Sequence, residues 1–443
     1  MTQNEITSLI SRLQRAKPGL QFDLSGNSIS DQTVKVKENG SLDQSASQRT
    51  AVTLRVWNQE GRLGVVQLTS LADTDLLAAV DVALDAAPLG AAEDIPQLPS
   101  ASEAGSFLHP SSSTSPEPAA IDALCETLTS GVQQLRAFHP DIQVVPYNAL
   151  SQRRVERFYA NTVGLVRAQV CSSVSTYLYA RGQSEGFKPR AAGHWGLESS
   201  LNELNISEVA EVAGANLVAH LRPGKIPSGR YPIIFSGSAF LDLLSAFDNL
   251  FNAQNILDKQ SLHTKDSLNQ SIASELLNIT DDPLHPLNIA PPFFDGEGTT
   301  VSKTVLVEKG CLKGLWHHTL SARAFSTKST GHARVGAKMS VGPWFYNVAV
   351  GEGLGDLAKN CIWIEDLQAL HAGVNPLQGS FSLPFQGFWI QSGEKMSLEG
   401  VTVAGDILSV LQSISALDVT QERASGGVCP AVAVRELSVT CES

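Results

Sequence analysis

Two short stretches of the sequence contain side chains that could do chemistry. The first, residues 279–298, includes ITDDP and FDGEG and carries four carboxylates and one imidazole: Asp281, Asp282, His285, Asp295 and Glu297. Such groups can bind a divalent metal ion. The same sequences are also strong turn formers, whose Asp side chains bond their own backbone. Turn formation, a metal site and a loop that contacts a peptide or partner are therefore three alternatives.

The second stretch, STKSTGHAR, covers residues 326–334 and follows a short helix predicted over 319–325. Its hydroxyl groups, glycine and imidazole could line a cleft or present backbone N–H groups to a ligand carbonyl, although a plain polar loop has the same composition. The candidate substrate-cleft or partner-contact residues are Asp295, Glu297, Gly298, Ser329, Thr330, Gly331 and His332.

Several conventional signatures of catalysis or metal binding are missing. The sequence has no P-loop, no GxGxxG and no HExxH. Its six cysteines stand singly without a CxxC pair, so zinc-ribbon and thioredoxin-like sites have no support, and we expect reduced, mostly buried thiols. Motifs alone therefore assign no catalytic residue and no metal ligand to this chain.

The composition excludes other classes of function. Among 443 residues, 32 are Lys or Arg and 44 are Asp or Glu, so the formal net charge is −12. Nucleic-acid binding requires basic clusters, and we find none. The first residues lack the apolar core of a signal peptide, and no stretch approaches the ~18 apolar residues of a membrane span. We expect a cytoplasmic protein that binds neither nucleic acid nor membrane.

Hydrophobic periodicity predicts an α/β domain over residues 1–225. Residues 51–57 and 62–69 form a predicted hairpin, and 155–173 repeat the strand–turn–strand pattern. Predicted helices follow at 72–87, 119–137 and 207–222. Residues 99–118 are rich in Ser and Pro and are expected to be an exposed linker.

The second half of the chain is predicted to be rich in strands. After a break near residues 222–229, a buried strand at 228–236 leads into a helix at 238–252, and a hairpin follows at 304–316. Further strands continue to the C-terminus. We therefore expect an α+β fold whose C-terminal domain, residues 226–443, holds a large, curled and partly barrel-like sheet.

Several segments, in this order, resemble the TldD/PmbA family, whose members are labelled modulators of DNA gyrase and act as a heteromeric metalloprotease. The segments include LRVWNQEGRLG, YANTVG, GRYPIIFS, ITDDP, FDGEG, STGHAR and GVTVAGDIL, and the resemblance covers most of residues 45–441. Their number and order carry the resemblance, because no single segment is decisive.

One departure from the family pattern determines what the resemblance implies. The catalytic branch carries H-E-x-x-x-H on the helix that follows the strand GRYPIIFS, where the two His residues of the motif bind one zinc ion. This chain has SAFLDLLSAFDNLFNA there, with no His and no Glu. The resemblance therefore points to the PmbA/TldE-like branch. It implies no catalytic residue and no cofactor in this chain, with zinc in a TldD-type partner.

The implied function is that of a non-catalytic subunit of a TldD-type zinc metallopeptidase complex, which trims or degrades unfolded and leader peptides. Extended peptides would be its substrates, and we expect a homodimer in isolation. A stand-alone homodimeric scaffold that binds a peptide or protein without proteolysis is the alternative. A third hypothesis is an independent hydrolase that uses Asp295, Glu297 and His332.

Overall fold

The hairpins predicted in the first half of the chain belong to one antiparallel sheet. The computed structural model describes residues 3–37, 39–90, 98–100, 104–105, 115–336 and 338–442. The elements of the first half are α1 (Gln3–Ala16), β1 (Gln21–Val36), β2 (Leu42–Trp57), β3 (Leu63–Leu68), α2 (Asp73–Ala86), α3 (Ile121–Ala137), β4 (Ile142–Val144), β5 (Asn148–Asn161), β6 (Val166–Gly182), β7 (Arg190–Glu198) and α4 (Ile206–Ala219). The strand order is β3-β2-β1-β5-β6-β4, and β7 also pairs with β6.

The two faces of this N-terminal sheet differ in chemistry. Apolar residues of β1, such as Phe22 and Leu24, point towards the helices and are fully buried against α1 and α2, and those of the far end pack against α3 and α4. Because side chains alternate along a strand, the intervening residues lie on the opposite face. There Ser25 lies beside Thr53 and Tyr159, and Asn27 lies beside Arg157. This polar face is turned towards the second half of the chain.

The second half of the chain is built around a twelve-stranded sheet. Its strands are β8 (Gly229–Phe235), β9 (Ile279–Asp281), β10 (Thr304–Glu308), β11 (Cys311–Leu312), β14 (Tyr346–Val348), β15 (Asn360–Leu367), β16 (Val374–Asn375), β17 (Ser380–Gln391), β18 (Glu394–Ser397), β19 (Val401–Asp406), β20 (Ile414–Ala424) and β21 (Gly427–Cys441); β12 (Ala333–Arg334) and β13 (Ser340–Val341) form a separate pair. The helices are α5 (Gly237–Ser245), α6 (Ala253–Leu257), α7 (Thr319–Ala324), α8 (Leu370–Gly373) and α9 (Ile407–Gln412).

Five of these strands close into a barrel. β8 pairs with β15 on one side and with β21 on the other, and β19 and β17 complete the ring. Apolar side chains such as Phe235, Ile364 and Val432 join the largest buried cluster of the chain. The expected α+β fold with a curled, barrel-like C-terminal sheet is confirmed.

Most local predictions are confirmed, with four corrections. The helix predicted over 238–252 ends at Ser245, and a 3-10 turn at 248–250 follows. The helix predicted over 207–222 spans 206–219 and begins after Asn205, which caps it. β1 was not predicted, and β2 begins at residue 42 rather than 51. Both segments are rich in Ser, Asn, Asp and Gln, so they lack the alternation of apolar and polar residues that would predict a strand.

The fourth correction concerns the predicted linker. Most of residues 99–118 lie outside the described residues, but Ala104 is 1% exposed and its carbonyl accepts a hydrogen bond from the N–H of Thr300. This part of the segment is therefore packed against the second half, not exposed. The division into domains at 1–225 and 226–443 stays a prediction. No helix in the described part of the chain is long and apolar enough to cross a membrane.

Candidate functional site

The two candidate stretches lie side by side in the structure. The N–H of Gly296 donates to the carbonyl of Ala333 over 2.8 Å, and the N–H of Ala333 donates to Asp295 Oδ2 over 3.0 Å. The loop at 294–298 and the loop at 326–334 thus form one unit. This unit lies against the polar face of the N-terminal sheet, where a Cβ atom on Gly298 would come within 2.3 Å of the Tyr159 ring.

Asp295 organises the first loop. It is 2% exposed, and its Oδ1 accepts the N–H groups of Glu297 and Thr299, both at 2.9 Å. Burial raises the pKa of this carboxyl well above its usual value, and the neighbouring Glu297 adds to the increase. The turn formation that the sequence suggests is therefore present, with Oδ2 joining the turn to the second loop.

Glu297 joins three parts of the molecule. Its Oε2 accepts the backbone N–H and the hydroxyl of Thr319 at 2.8 and 2.7 Å, at the first residue of α7. A carboxylate is favourable at a helix N-terminus, where N–H groups lack partners. Its Oε1 lies 3.7 Å from Nη1 of Arg55 in the N-terminal sheet. Glu297 is therefore a buried connecting group.

The hydroxyls of the second loop are also engaged within the fold. Ser329 donates to the carbonyl of His317 over 3.2 Å, and Thr330 Oγ1 accepts the N–H of His317 over 2.8 Å. Gly331 has a φ of +74°, and its carbonyl accepts the Trp344 indole N–H over 2.8 Å. These contacts fix the loop backbone in one conformation.

His332 pairs with an acid from the other stretch. Its Nε2 lies 3.2 Å from Oδ2 of Asp281, and both side chains are fully buried. Asp281 also accepts the N–H groups of Trp344 and Phe345. His285 stacks on Phe345, and Asp282 contacts Lys303. Among the residues that the structure describes, no three His, Cys, Asp or Glu side chains are grouped to hold a metal ion.

The adjacent histidines His317 and His318 do not lie on a strand. His318 Nδ1 accepts the N–H groups of Leu320 and Ser321 and so caps α7. Burial, together with the nearby His318 and His332, lowers the pKa of His317 to about 4. Burial also lowers the pKa of His318, so both imidazoles favour the neutral form.

The helix α5 follows the strand β8 and contains the segment in which the resemblance led us to look for a zinc-binding motif. Its residues Phe240 and Leu244 are completely buried in the core. Asp242 is its ionisable residue, and burial, together with Asp366 and Glu422, raises the pKa of this carboxyl to about 6. Glu422 of β20 accepts hydrogen bonds from the first N–H groups of α5. The helix itself therefore offers one carboxylate and no imidazole.

One match to a catalytic motif becomes interpretable only in the structure. Residues 182–186, GQSEG, follow the letters of a GxSxG nucleophile elbow. They join the antiparallel strands β6 and β7, whereas the elbow joins a strand to a helix. Ser184 is 2% exposed and donates to Asp141 over 2.6 Å. The motif is therefore a turn between two strands with a buried serine, while Glu185 and Gly186 are exposed.

The joined loops form one wall of a cavity of about 430 Å³. The polar face of the N-terminal sheet forms the floor of the cavity. Arg157, Arg334 and Trp344 line this cavity together with Asp295 and Gly296. The sequence alone does not connect these residues, because Arg157 lies far from Arg334 and Trp344 in the chain. The use of the candidate residues as substrate-cleft or partner contacts stays a prediction.

Comparison with known proteins shows which proteins this chain resembles. Residues 228–441 match the PmbA/TldA metallopeptidase C-terminal domain. The chain is 23% identical to the metalloprotease PmbA of Escherichia coli over 74% of this chain and 77% of that protein. It is 24% identical to PmbA homologues of Buchnera aphidicola and Haemophilus influenzae. The matched segments span 63% and 46% of the length of those two relatives.

Two solved structures share the fold of nearly the whole chain. A Thermotoga maritima protein described as a modulator of a DNA gyrase has a TM-score of 0.86 at 21% identity, covering 98% of this chain and all of that one. TldE from Thermococcus kodakarensis has a TM-score of 0.84 at 22% identity, covering 99% of this chain and all of that one. Residues 228–441 are therefore similar to the C-terminal domain of the PmbA/TldD family, and nearly the whole chain shares the fold of these two structures.

Proposed function

We propose that this chain is a non-catalytic PmbA/TldE-like subunit of a TldD-type zinc metallopeptidase complex, which trims or degrades unfolded and leader peptides. The observation that carries the proposal is the helix α5, GSAFLDLLS, which contains neither His nor Glu. Metallopeptidase chemistry requires ligands for the zinc ion and a base for its water. The family therefore supplies the scaffold, while this chain lacks the donors.

The donors of this chain do not fit a catalytic zinc ion. Apolar residues such as Phe240 and Leu244 fill the buried face of α5, and Asp242 is the ionisable residue of this helix. Zinc ligands in peptidases of this kind are imidazoles supported by a carboxylate. We therefore assign zinc to a TldD-type partner, and no step of the reaction to residues of this chain.

The contribution of this chain would be to bind substrate and to complete a chamber. The cavity beside Asp295 and Gly296 and the edge strand β3 offer polar groups to an extended peptide. The acidic net charge of −12 argues against a nucleic-acid partner. In the absence of the partner, we propose a homodimer, and we propose a cytoplasmic location.

The test is coexpression with a TldD-type chain that carries H-E-x-x-x-H. We expect the two chains to copurify, zinc to be stoichiometric with the partner alone, and chelator-sensitive peptidase activity to appear only in the complex. A partner whose motif glutamate is replaced by glutamine is the matched control, and its complex should assemble without activity. Stoichiometric zinc and peptidase activity in this chain alone would overturn the proposal.

The same experiment separates the alternative function. If the chain forms a homodimer that binds peptides and no TldD-type chain copurifies, it is a stand-alone scaffold. The absence of His and Glu from the helix α5 is compatible with that alternative as well. Analytical ultracentrifugation of the chain with and without the partner distinguishes the two assemblies.

A further inference from the structure

The cavity between the joined loops and the N-terminal sheet has an unusual distribution of charge. Its floor is the polar face of the sheet, where Ser25, Asn27, Thr53 and Gln67 present hydroxyl and amide groups. Its volume is about 430 Å³, enough for a few residues of a peptide. These four residues can donate and accept hydrogen bonds but carry no charge, so the charge on this face of the cavity comes from Arg157 of β5.

Trp344 is the fixed centre of the opposite wall. Its indole N–H donates to the carbonyl of Gly331 over 2.8 Å, and its backbone N–H donates to Asp281 over 2.9 Å. The ring is half-buried. Its position is therefore set by the same buried groups that hold the two candidate loops.

Two arginines converge on this one ring. The guanidinium carbon of Arg334 lies 4.8 Å from the ring centroid, and that of Arg157 lies 5.8 Å from it. Arg334 comes from β12 and is held by a hydrogen bond to the carbonyl of Pro343. Arg157 comes from β5, in the N-terminal sheet. Two cations that lie far apart in the sequence therefore contact the same aromatic ring.

These cations lack a carboxylate partner. Within the described parts of the chain, no carboxylate oxygen lies within 4.0 Å of either guanidinium. Burial lowers the pKa of Arg334, and the like charge of Arg157 lowers it further. Asp248 and Asp281 oppose this effect from a distance, but they accept hydrogen bonds from Tyr346 and from the backbone of residues 344 and 345. An added anion would relieve the repulsion between the arginines.

We infer that this cavity binds a carboxylate group of an extended peptide through Arg157 and Arg334, with Trp344 as their platform. A guanidinium matches a carboxylate in a planar, two-bonded geometry. Gln67 and Leu68 of the cavity lie on β3, and Thr69 follows it. Among the described strands β3 pairs with β2 alone, so its other side can pair with a peptide backbone. This inference depends on the proposed function in one respect, namely that the ligand is a peptide.

The test uses the full-length chain without any partner protein, so that failure of the zinc or assembly experiment leaves it interpretable. The probe is a dye-labelled six-residue peptide of alanine and valine with one internal glutamate and a free C-terminus, followed by fluorescence anisotropy. Three further peptides carry a C-terminal amide, glutamine in place of glutamate, or both changes. Loss of binding with the amide assigns the C-terminal carboxylate, and loss with glutamine assigns the side chain.

Arg157→Gln and Arg334→Gln are each expected to weaken binding about tenfold or more, because each removes a charged hydrogen-bond donor. Arg334→Lys should give an intermediate value. The matched control is Arg136→Gln, an exposed arginine on α3, which should bind as the unaltered chain does. If an arginine variant fails to fold, raising the salt concentration on the unaltered chain should weaken binding instead.

Equal binding of all four peptides, or unchanged binding in the Arg157→Gln/Arg334→Gln double variant, would overturn the inference. A salt-independent affinity would do the same. Absence of binding by any of the peptides to the unaltered chain also contradicts it, whatever the outcome for zinc and the TldD-type partner.

Discussion

Arg55 and Glu297 face each other between the two halves of the chain, with Nη1 and Oε1 3.7 Å apart and both side chains almost fully buried. Arg55 also forms an ion pair with Asp23, which accepts the Tyr159 hydroxyl hydrogen over 3.0 Å. A residue that the sequence suggests as a contact for substrate or partner is therefore part of a buried network. This network positions the loop whose neighbouring residues line the cavity.

Replacing Glu297 should reduce stability. Glu297→Ala removes the acceptor for Thr319 and the second carboxylate beside Arg55, so we expect the free energy of unfolding to fall by about 3 kcal/mol. Urea unfolding followed by circular dichroism measures this loss. Glu308→Ala, at an exposed residue of β10, should change stability by less than about 0.5 kcal/mol. Unaltered stability with weakened peptide binding would instead make Glu297 a substrate contact.

The Asp23–Arg55 pair should show strong coupling. Asp23→Asn alone leaves a buried arginine short of one negative charge, and we expect a loss of about 3 kcal/mol. Arg55→Met alone leaves Asp23 with only the Tyr159 hydroxyl as a side-chain donor. A double-mutant cycle by chemical unfolding should find the double variant more stable than the sum of the single losses predicts. Simple additivity would show that the two charges act independently.

Gly331 is expected to tolerate no side chain. Its φ is +74°, and a Cβ atom would lie 2.7 Å from the carbonyl oxygen of Thr300. Gly331→Ala should therefore cost more than the roughly 1–2 kcal/mol of the left-handed conformation alone. Gly19→Ala is the matched control, because Gly19 has a φ of +75° with nothing near its Cβ position. Equal thermal shifts in the two variants would mean that the loop at Gly331 can move away from Thr300.

Asp248 should make stability depend on pH. Burial raises its carboxyl pKa from 3.8 to about 7, although the Tyr346 hydroxyl and Arg334 oppose the increase. The folded state therefore binds this proton more tightly than the unfolded state does. Its contribution is full below about pH 4 and is lost as the pH rises towards 7, by up to about 4 kcal/mol. Unfolding free energies from pH 4 to 8 measure it.

The variant Asp248→Asn keeps an acceptor for Tyr346 but cannot titrate, so its stability should vary less with pH than that of the unaltered chain. Asp242, whose carboxyl pKa is raised to about 6, is present in both proteins. In both, it makes the free energy of unfolding decrease as the pH rises. Asp85→Asn, at an exposed residue of α2, is the control and should leave the profile unaltered. An identical profile for Asp248→Asn would show that this carboxyl is ionised throughout.

Elements with regular hydrophobic spacing could be predicted from the sequence. The hairpin between β2 and β3, the helix α3 and the hairpin within residues 304–316 are all confirmed, because each depends on neighbouring residues. β1 could not be predicted, since its polar residues are stabilised by pairing with β2 and β5 along its whole length. The closure of the barrel likewise depends on β8 meeting β21, a strand at the other end of the second half.

The sequence by itself determined the local elements, the order of the family's segments and the absence of His and Glu from α5. Only the tertiary structure decided how the polar residues are used. It pairs His332 with Asp281, buries Glu297 against Arg55, and brings Arg157 and Arg334 to one tryptophan ring. The physical reason is that burial and charge pairing depend on residues far apart in the chain, whereas turns and amphipathic helices depend on near neighbours.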